Sequence, residues 1–280
     1  MKYKHFKQAL LFKVGSNIKT MKNIIKENDM ILRKWESSNK EHGENNFAPD
    51  GAMHRGEVID YGHVVGRLES STGLENKIWT NAPLRVLFFT KDQNSAGCEA
   101  WDVRGEMINF RYAFFRNLAY QLYGIVNTDP NHKADWNFTY DDAKKLYNTF
   151  PLARINAKKE GGKSTISNSD LRKYLERDKE LLKAQILNLD ADIIFCCGFS
   201  EKIEKSGNLL LNFLNEECGF HFEIQSDNNW IYYDKEQNKV AINDYHLSVR
   251  YSSRTLYTQL VEDYFNFVVK NPSFCLNHRN

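Results

Sequence analysis

The chain contains few of the residues that interrupt secondary structure or form crosslinks. Its 280 residues include only 5 Pro and 15 Gly, which argues against a low-complexity or linker-dominated chain. The cysteines number 5, an odd count; Cys196 and Cys197 are adjacent, and no Cys-x-x-Cys spacing occurs. This pattern predicts neither a disulfide framework nor a zinc or iron–sulfur cluster. We therefore expect reduced thiols, and neither a metal nor a cofactor.

Long apolar runs and a strong net charge are also missing. No run reaches the roughly 18 apolar residues of a membrane span, so no membrane contact is predicted. The basic start is followed by only a short apolar stretch interrupted by Lys13, which disfavours a signal peptide. The net charge of +2 and pI of 8.1 exclude a strongly basic domain, so any DNA-binding face must be local. These features predict a cytoplasmic protein, and we expect a monomer.

The residues that are present predict a folded α/β chain. Hydrophobic residues make up 41% and charged residues 26%, an ordinary globular mixture. Nearly continuous apolar runs, typical of strands covered on both faces, occupy 83–90, 152–156, 191–198 and 239–243. Helical periodicity occurs in 17–36, 106–123, 170–189, 200–217 and 253–269, with Ser169 or Asp170 as the N-cap of the third. Shorter polar-aromatic strands are predicted near 220–224 and 229–234.

This alternation of strands and helices predicts a three-layer sandwich. Helices should flank a central, mainly parallel four-stranded sheet. We expect residues 81–280 to form this domain and residues 1–80 to be a helical and loop extension packing on its core. In such sheets function collects in the loops at the carboxyl ends of the strands, which here are 91–105, 157–169, 198–201 and 244–252.

Three of those strand ends carry residues able to do chemistry. Asp92 follows the first strand, Asn156 ends the second and His246 follows the last. Each also has an ordinary structural explanation. Asp92 is suited to capping the next segment, Asn156 to a turn, and a lone histidine is more often structural than catalytic. Together they predict that a carboxylate, an amide and an imidazole meet in one crevice.

The order of these residues resembles the uracil-DNA glycosylase superfamily over roughly residues 84–268. In that family an Asp or Asn after the first strand positions water, and an Asn ending the second reads the pyrimidine edge. A His-Pro-Ser-type motif after the last strand faces the base oxygen. The resemblance implies these roles for Asp92, Asn156 and His246, with Ser248 as the motif serine. The helical pattern after Ser252 is similar to the family's closing helix.

The chemistry of base excision fits these residue types. Breaking a glycosidic bond builds positive charge on the sugar, where the Asp92 carboxylate would orient water. Negative charge develops on the departing base, where a donor from His246 would stabilise the anion. The Asn156 amide offers both a donor and an acceptor to a flipped pyrimidine.

Departures from the family pattern bear on which base is bound. Where many members have Gly-Gln-Asp-Pro-Tyr, this chain has Thr-Lys-Asp-Gln-Asn at 90–94. The family tyrosine excludes thymine at the C5 position, and the smaller Asn94 predicts an open pocket for a C5-modified pyrimidine, for instance in phage DNA. Gln93, Asn94 and Trp101 are the further base-binding candidates. Leu247 replaces the motif proline, and Arg250 or Tyr251 falls near the family's DNA wedge.

The remaining candidates would contact DNA or pack in the core. Ser95, Lys158, Ser248, Arg250 and Tyr251 are candidate DNA-binding residues. The alternative for the lysines of the 157–169 loop is a solvated surface; these are Lys158, Lys159 and Lys163. For Trp101 and Tyr112 the alternative to base stacking is core packing.

Three functions compete at this stage. The first is a monofunctional, metal-free DNA glycosylase that leaves an abasic site, acting in repair or in defence against foreign DNA. Lyase activity would need an amine nucleophile, for which Lys91 lies near enough in sequence. The second is a catalytically inert module of the same fold that binds modified DNA, and the third is a hydrolase of free nucleosides.

Overall fold

The computed structural model describes residues 23–44, 46–53, 74–95, 100–106, 109–162, 165–199 and 207–274. The helices are α1 Ile24–Glu41, α2 Leu74–Thr80, α3 Ala113–Asn127, α4 Tyr140–Thr149, α5 Asn168–Arg177, α6 Lys179–Leu189, α7 Leu209–Glu216 and α8 Ser253–Lys270, with a 3-10 turn at Val103–Gly105. The strands are β1 Gly51–Ala52, β2 Val86–Thr90, β3 Gln93–Asn94, β4 Leu152–Asn156, β5 Gly161–Gly162, β6 Ile193–Phe199, β7 Glu223–Ile224, β8 Ile231–Asp234 and β9 Lys239–Tyr245.

The central sheet has seven strands in the order β1-β4-β2-β6-β9-β8-β7. Strands β4, β2, β6 and β9 are mutually parallel and coincide with the four predicted apolar runs. Antiparallel strands extend both edges, β1 beside β4 and the β8–β7 pair beside β9. The α/β class is thus confirmed, whereas a four-stranded sheet is wrong, because the sheet is mixed and has seven strands. The two-residue strand β1 carries no apolar run from which it could be predicted.

Helices cover both faces of the sheet. Successive side chains of a strand point to opposite faces, so Val86 and Phe88 pack with α3, α4 and α8. Leu87 and Phe89 pack on the other face with α1, α6 and α7. The ring of Phe88 stacks on that of Phe195 across the strands, with centroids 4.2 Å apart. Coverage on both faces explains why these strands are apolar throughout.

Two of the predicted helices differ from the observed ones. The helix predicted over 170–189 is two helices, α5 and α6, which meet at Asp178. Asp178 is buried and ion-paired to Arg177. Ser167, rather than Ser169 or Asp170, caps α5 by accepting the backbone N–H of Asp170. The helix predicted over 106–123 begins only at α3, after a turn at 109–112.

The described part of the N-terminal 80 residues packs against this core. Trp35 of α1 is fully buried against the α6 side of the sheet. Strand β1 joins the sheet, and the indole N–H of Trp79 donates to the carbonyl of Leu189 at 2.9 Å. The division of the chain at residue 80 stays a prediction. In the segments that the structure describes, no helix is both long and apolar enough to cross a membrane.

Candidate functional site

Two loops run side by side from the carboxyl ends of β2 and β4. Thr90 and Asn156 are paired at the ends of these parallel strands. Backbone pairing then continues, because the N–H of Lys158 donates to the carbonyl of Lys91 at 2.9 Å. Strands β3 and β5 next form a small parallel pair of their own. The topology therefore places the predicted loops 91–105 and 157–169 together at one edge of the sheet.

Asp92 lies beside Lys158 across a glycine. A Cβ atom on Gly162 would stand 2.7 Å from Asp92 Oδ2 and 3.1 Å from Lys158 Nζ. The two charged groups thus occupy the space that a side chain at position 162 would need. Burial raises the pKa of the Asp92 carboxyl, although the Lys158 and Lys91 cations act to lower it. Because burial outweighs the two cations, the half-buried Asp92 carboxylate is suited to accepting a proton from water.

Asp92 and Lys158 line an open cleft of about 740 Å³. The cleft runs between the β3–β5 pair and α5, and its walls carry charged side chains of both signs. Its volume lies within the range of small-molecule sites. Asn156 and His246 do not line it, so the three predicted residues do not share this cleft.

Asn156 is buried with its polar groups held in place. Its Oδ1 accepts the hydroxyl of Thr90 at 2.6 Å, and its backbone N–H donates to Asp50 Oδ2 at 2.7 Å. Its carbonyl accepts Lys159 Nζ at 2.8 Å. Among the described residues its Nδ2 has no hydrogen-bond partner. The amide is therefore fixed at one end, and a donor remains for a ligand.

A buried ion pair lies behind Asn156. Lys159 and Asp50 are both 0% exposed, and Lys159 Nζ donates to both Asp50 oxygens at 2.7 Å. Gln185 also donates to Asp50 Oδ1, at 2.8 Å, and Lys159 Nζ lies 4.7 Å from the ring centroid of Trp35. The prediction of a solvated Lys159 is therefore wrong. The N-terminal segment supplies the carboxylate and the ring that bury this side chain.

His246 is a neutral hydrogen-bond donor. Its Nδ1 accepts the backbone N–H of Ser248 at 3.3 Å. A backbone N–H can only donate, so the neutral imidazole carries its proton on Nε2. Burial and, to a smaller extent, the Lys91 cation together lower the pKa of His246 to about 4. At neutral pH the ring therefore presents Nε2–H without a positive charge.

Helix α3 holds the loop that carries His246. Leu247 is buried in the core, and its carbonyl accepts Asn117 Nδ2 at 2.6 Å. Asn117 Oδ1 accepts the hydroxyl of Ser253 at 2.6 Å, which ties the same loop to the start of α8. Phe114 lies beside His246, with ring centroids 6.3 Å apart. Sequence reasoning missed Asn117 and Phe114; an amide within the apolar stripe of α3 was the available signal.

A second buried carboxyl group lies two residues before His246. Asp244 is 0% exposed, and its Oδ1 accepts Gln121 Nε2 at 3.2 Å. Within the part of the chain that the structure describes, Asp244 Oδ2 and Gln121 Oε1 are both buried without a hydrogen-bond partner. Burial raises the pKa of Asp244 to about 8. A proton on Oδ2 would supply the missing donor, so Asp244 is a neutral acid at pH 7.

The remaining predicted base-binding residues lie around β3. Gln93 is buried, and its amide pairs with the backbone of Trp101 at 3.0 and 3.2 Å. Gln93 therefore positions Trp101, whose side chain is half-buried. Asn94 is exposed, and Ser95 is buried with its backbone N–H donating to the carbonyl of Gly162 at 3.1 Å.

The predicted DNA-binding residues after β9 lie on the surface. Ser248, Arg250 and Tyr251 are exposed, and the Tyr251 ring contacts that of Tyr245 with centroids 5.2 Å apart. Core packing of Tyr112 is wrong, because this side chain is 57% exposed just before α3. Lys163 lies outside the described residues.

Within the described ranges, no group of three or more His, Cys, Asp or Glu side chains is placed to hold a metal ion. The described cysteines Cys196, Cys197 and Cys218 are buried and free. No family model matches the chain, and no curated protein matches it significantly.

Proposed function

We propose that the protein is a DNA glycosylase that hydrolyses the N-glycosidic bond of a flipped pyrimidine and leaves an abasic site. The observation that carries this proposal is the neutral Nε2–H donor of His246 at the same sheet edge as the carboxyl group of Asp92. Lys91 perturbs the pKa values of both groups and therefore lies within electrostatic reach of each. The resemblance to the uracil-DNA glycosylase superfamily rests on these residues and on Asn156.

Asp92 would act on the sugar side of the bond. Its carboxylate orients the attacking water and stabilises the positive charge that develops on the deoxyribose. The raised pKa makes it a better proton acceptor than an exposed aspartate. Lys158, beside it in the cleft, is suited to a DNA phosphate next to the flipped nucleotide.

His246 would act on the base side. As the bond breaks, negative charge accumulates on the pyrimidine, and Nε2–H donates a hydrogen bond to its oxygen. The low pKa of His246 means that the ring stabilises this charge by donating a hydrogen bond and does not enter the step as a cation. The turn at Ser248 and the Asn117 contact hold the ring in place before substrate binds.

The specificity we propose is for a pyrimidine substituted at C5, in foreign DNA or in damaged DNA. Asn156 reads the base edge through its unpaired amide donor. Asn94 is exposed and does not close the pocket as a buried tyrosine would. The exposed Ser248, Arg250 and Tyr251 would grip the DNA beside the flipped base, so binding should weaken steeply with salt.

The test is an abasic-site assay on labelled DNA that contains either uracil or C5-modified cytosine. Wild-type protein should generate abasic sites on at least one substrate, and His246→Ala should not. Unfolding of both proteins in urea serves as the control for folding.

Retained DNA binding with no abasic sites on any substrate would reject catalysis. That result would identify an inert module that recognises modified DNA. Competition by free nucleosides but not by duplex DNA would instead indicate a small-molecule hydrolase.

A further inference from the structure

Two glutamates share one guanidinium beside the cleft. Glu44 and Arg177 line the cleft, and Glu44 Oε1 lies 3.1 Å from Arg177 Nη1. Glu160 Oε1 accepts Arg177 Nη2 at 2.8 Å and also accepts Asn39 Nδ2. The same guanidinium binds Asp178 at 2.6 Å. One cation therefore faces three acids, which would be an excess of negative charge if all three were ionised.

Each of the two glutamates has a buried oxygen that lacks a donor. Among the described residues, Glu44 Oε2 and Glu160 Oε2 have no hydrogen-bond partner, and Glu160 is only 5% exposed. Two ionised carboxylates in this position would repel each other and would leave both oxygens unsatisfied. A proton on Glu160 Oε2 removes one charge and supplies a donor to Glu44 Oε2. The geometry therefore favours a carboxyl–carboxylate pair that holds one proton.

The other charged and titratable groups around the pair leave this imbalance in place. The ammonium of Lys158 lies beside Asp92 across Gly162, and that of Lys159 is bound to Asp50. The Tyr174 ring lies 4.8 Å from the guanidinium carbon of Arg177. Burial raises the pKa of Tyr174, so this ring adds no charge near neutral pH.

The two glutamates stand on segments that pair with each other along the cleft. The N–H of Gly161 in β5 donates to the carbonyl of Asn46 at 2.9 Å, and the N–H of Ala48 donates to the carbonyl of Lys159. Strand β5 in turn pairs with β3. Asn46 and Gly161 both line the cleft. The position of residues 46–48 against β5 therefore shapes one wall of the cleft.

We propose that Glu44 and Glu160 form a proton-dependent clasp, which holds residues 46–48 against β5 and so fixes this wall of the cleft. With the proton in place, the clasp is closed by the hydrogen bond between the two carboxyl groups. Without it, two negative charges face each other and the clasp weakens. The proposal goes beyond the proposed function and does not depend on it, because it concerns the shape of the cleft and not the reaction.

The direction of the pH effect follows from which glutamate holds the proton. Burial and the hydrogen bond with Glu44 raise the pKa of Glu160 to about 7, although Arg177 acts to lower it. Burial acts to raise the pKa of Glu44, but the hydrogen bond with Glu160 and the Arg177 cation lower it overall. Glu160 is therefore the protonated partner. Its stabilisation of the clasp is complete below the pKa of an unfolded glutamate, about 4.3, and is lost as the pH rises to about 7.

The test measures hydrogen exchange of the Gly161 and Ala48 amides at several pH values, corrected for the intrinsic effect of pH on exchange. Both amides donate across the clasped segments, so their exchange reports local opening. In wild-type protein the opening constant should rise about tenfold per pH unit between about pH 5 and about pH 7, the slope for release of one proton, and level off above. Base excision plays no part in this readout.

Glu160→Gln imitates the protonated clasp at every pH. Its amide oxygen can still accept Asn39 and Arg177, and its NH2 group can donate to Glu44 Oε2. The opening constant of this variant should stay near its value at pH 5, and at pH 7 it should lie at least about tenfold below that of wild type. The matched control is Glu176→Gln, because Glu176 is a 75% exposed glutamate of α5 that pairs with Lys179. The control should keep the wild-type slope.

Three outcomes would overturn the proposal. These are an opening constant in wild-type protein that does not change with pH, a wild-type slope that persists in Glu160→Gln, or a slope that Glu176→Gln removes equally. Glu44→Gln is a second variant in case Glu160→Gln does not fold, and it should also lose the slope, because its amide can donate to Glu160 Oε2. Urea unfolding of each variant checks folding.

Discussion

Two buried carboxyl groups support the candidate site in different ways. Asp50 lies behind Asn156, and its oxygens accept hydrogen bonds from Lys159, Gln185 and the Asn156 backbone. Asp244 lies two residues before His246 and accepts one side-chain hydrogen bond, from Gln121. Both are 0% exposed.

The comparison shows two ways in which a carboxyl group can be buried in a protein. Asp50 is compensated by a cation, so its negative charge remains and fixes the strand end that carries Asn156. No cation among the described residues pairs with Asp244, and its raised pKa makes it a neutral acid at pH 7. We therefore expect the His246 side of the site to depend on one buried proton.

The largest effect is expected from removing the cation at Asp50. Lys159→Met would leave the Asp50 charge buried and uncompensated, which should cost about 3–5 kcal/mol of unfolding free energy. Urea unfolding at neutral pH measures this loss. Adding Asp50→Asn to Lys159→Met should recover part of it, because the remaining charge is then removed.

The matched control is Lys173→Met. Lys173 forms an exposed ion pair with Asp170 on α5, and such pairs contribute little. Its unfolding free energy should stay within about 0.5 kcal/mol of wild type. A Lys159→Met protein as stable as this control would show that the buried pair is not needed.

The next effect depends on pH and concerns Asp244→Asn. An acid whose pKa is higher in the folded state than in the unfolded state contributes its full stabilisation below the pKa of the unfolded state. That stabilisation is lost progressively as the pH rises to the pKa of the folded state. For Asp244 that window runs from about pH 4 to about pH 8. Asparagine can make the same contacts with Gln121 without titrating. The variant should therefore become progressively more stable than wild type across this window, by a few kcal/mol at its upper end.

Unfolding in urea at several pH values from 4 to 9 measures this difference. A constant difference at all pH values would mean that Asp244 is ionised in the folded protein like an ordinary aspartate. Asp263, which is likewise buried and accepts Asn228 Nδ2, is the matched position for comparison, as Asp263→Asn.

The smallest effect is expected from Thr90→Val. Valine has the same shape but removes the hydroxyl that donates to Asn156 Oδ1 at 2.6 Å. The loss of one buried hydrogen bond should cost about 1–2 kcal/mol of unfolding free energy. Base excision should slow as well, because the amide is then free to rotate. Thr149→Val, at an exposed helix position, is the control, and equal excision by both variants would contradict the assigned role of Thr90.

Much of the parallel sheet was predictable from the sequence. The runs at β2, β4, β6 and β9 are apolar throughout because helices cover both faces, and that pattern has few other causes. The antiparallel edges were harder to predict. Strands β1 and β7 have two residues each, too few for any period, and no Gly or Pro marks the break between α5 and α6 at Asp178.

The positions of the candidate residues at strand ends were predictable, although only Asp92 of the three lines the cleft. Asp92, Asn156 and His246 follow apolar runs, and parallel strands bring those ends to one edge. The residues that hold these side chains in place were not predictable, because they come from distant segments of the chain. Asp50 reaches Asn156 from 106 residues away, and no local pattern marks such a contact.

The most direct test of the account is single-turnover base excision by Asp92→Asn. The substitution keeps the shape of the side chain but removes the carboxylate that would accept a proton from water. The account predicts normal DNA binding with base excision reduced by at least about 100-fold, the usual contribution of a general base. Base excision at the wild-type rate in Asp92→Asn would contradict the account, since no other carboxylate has been assigned to the water.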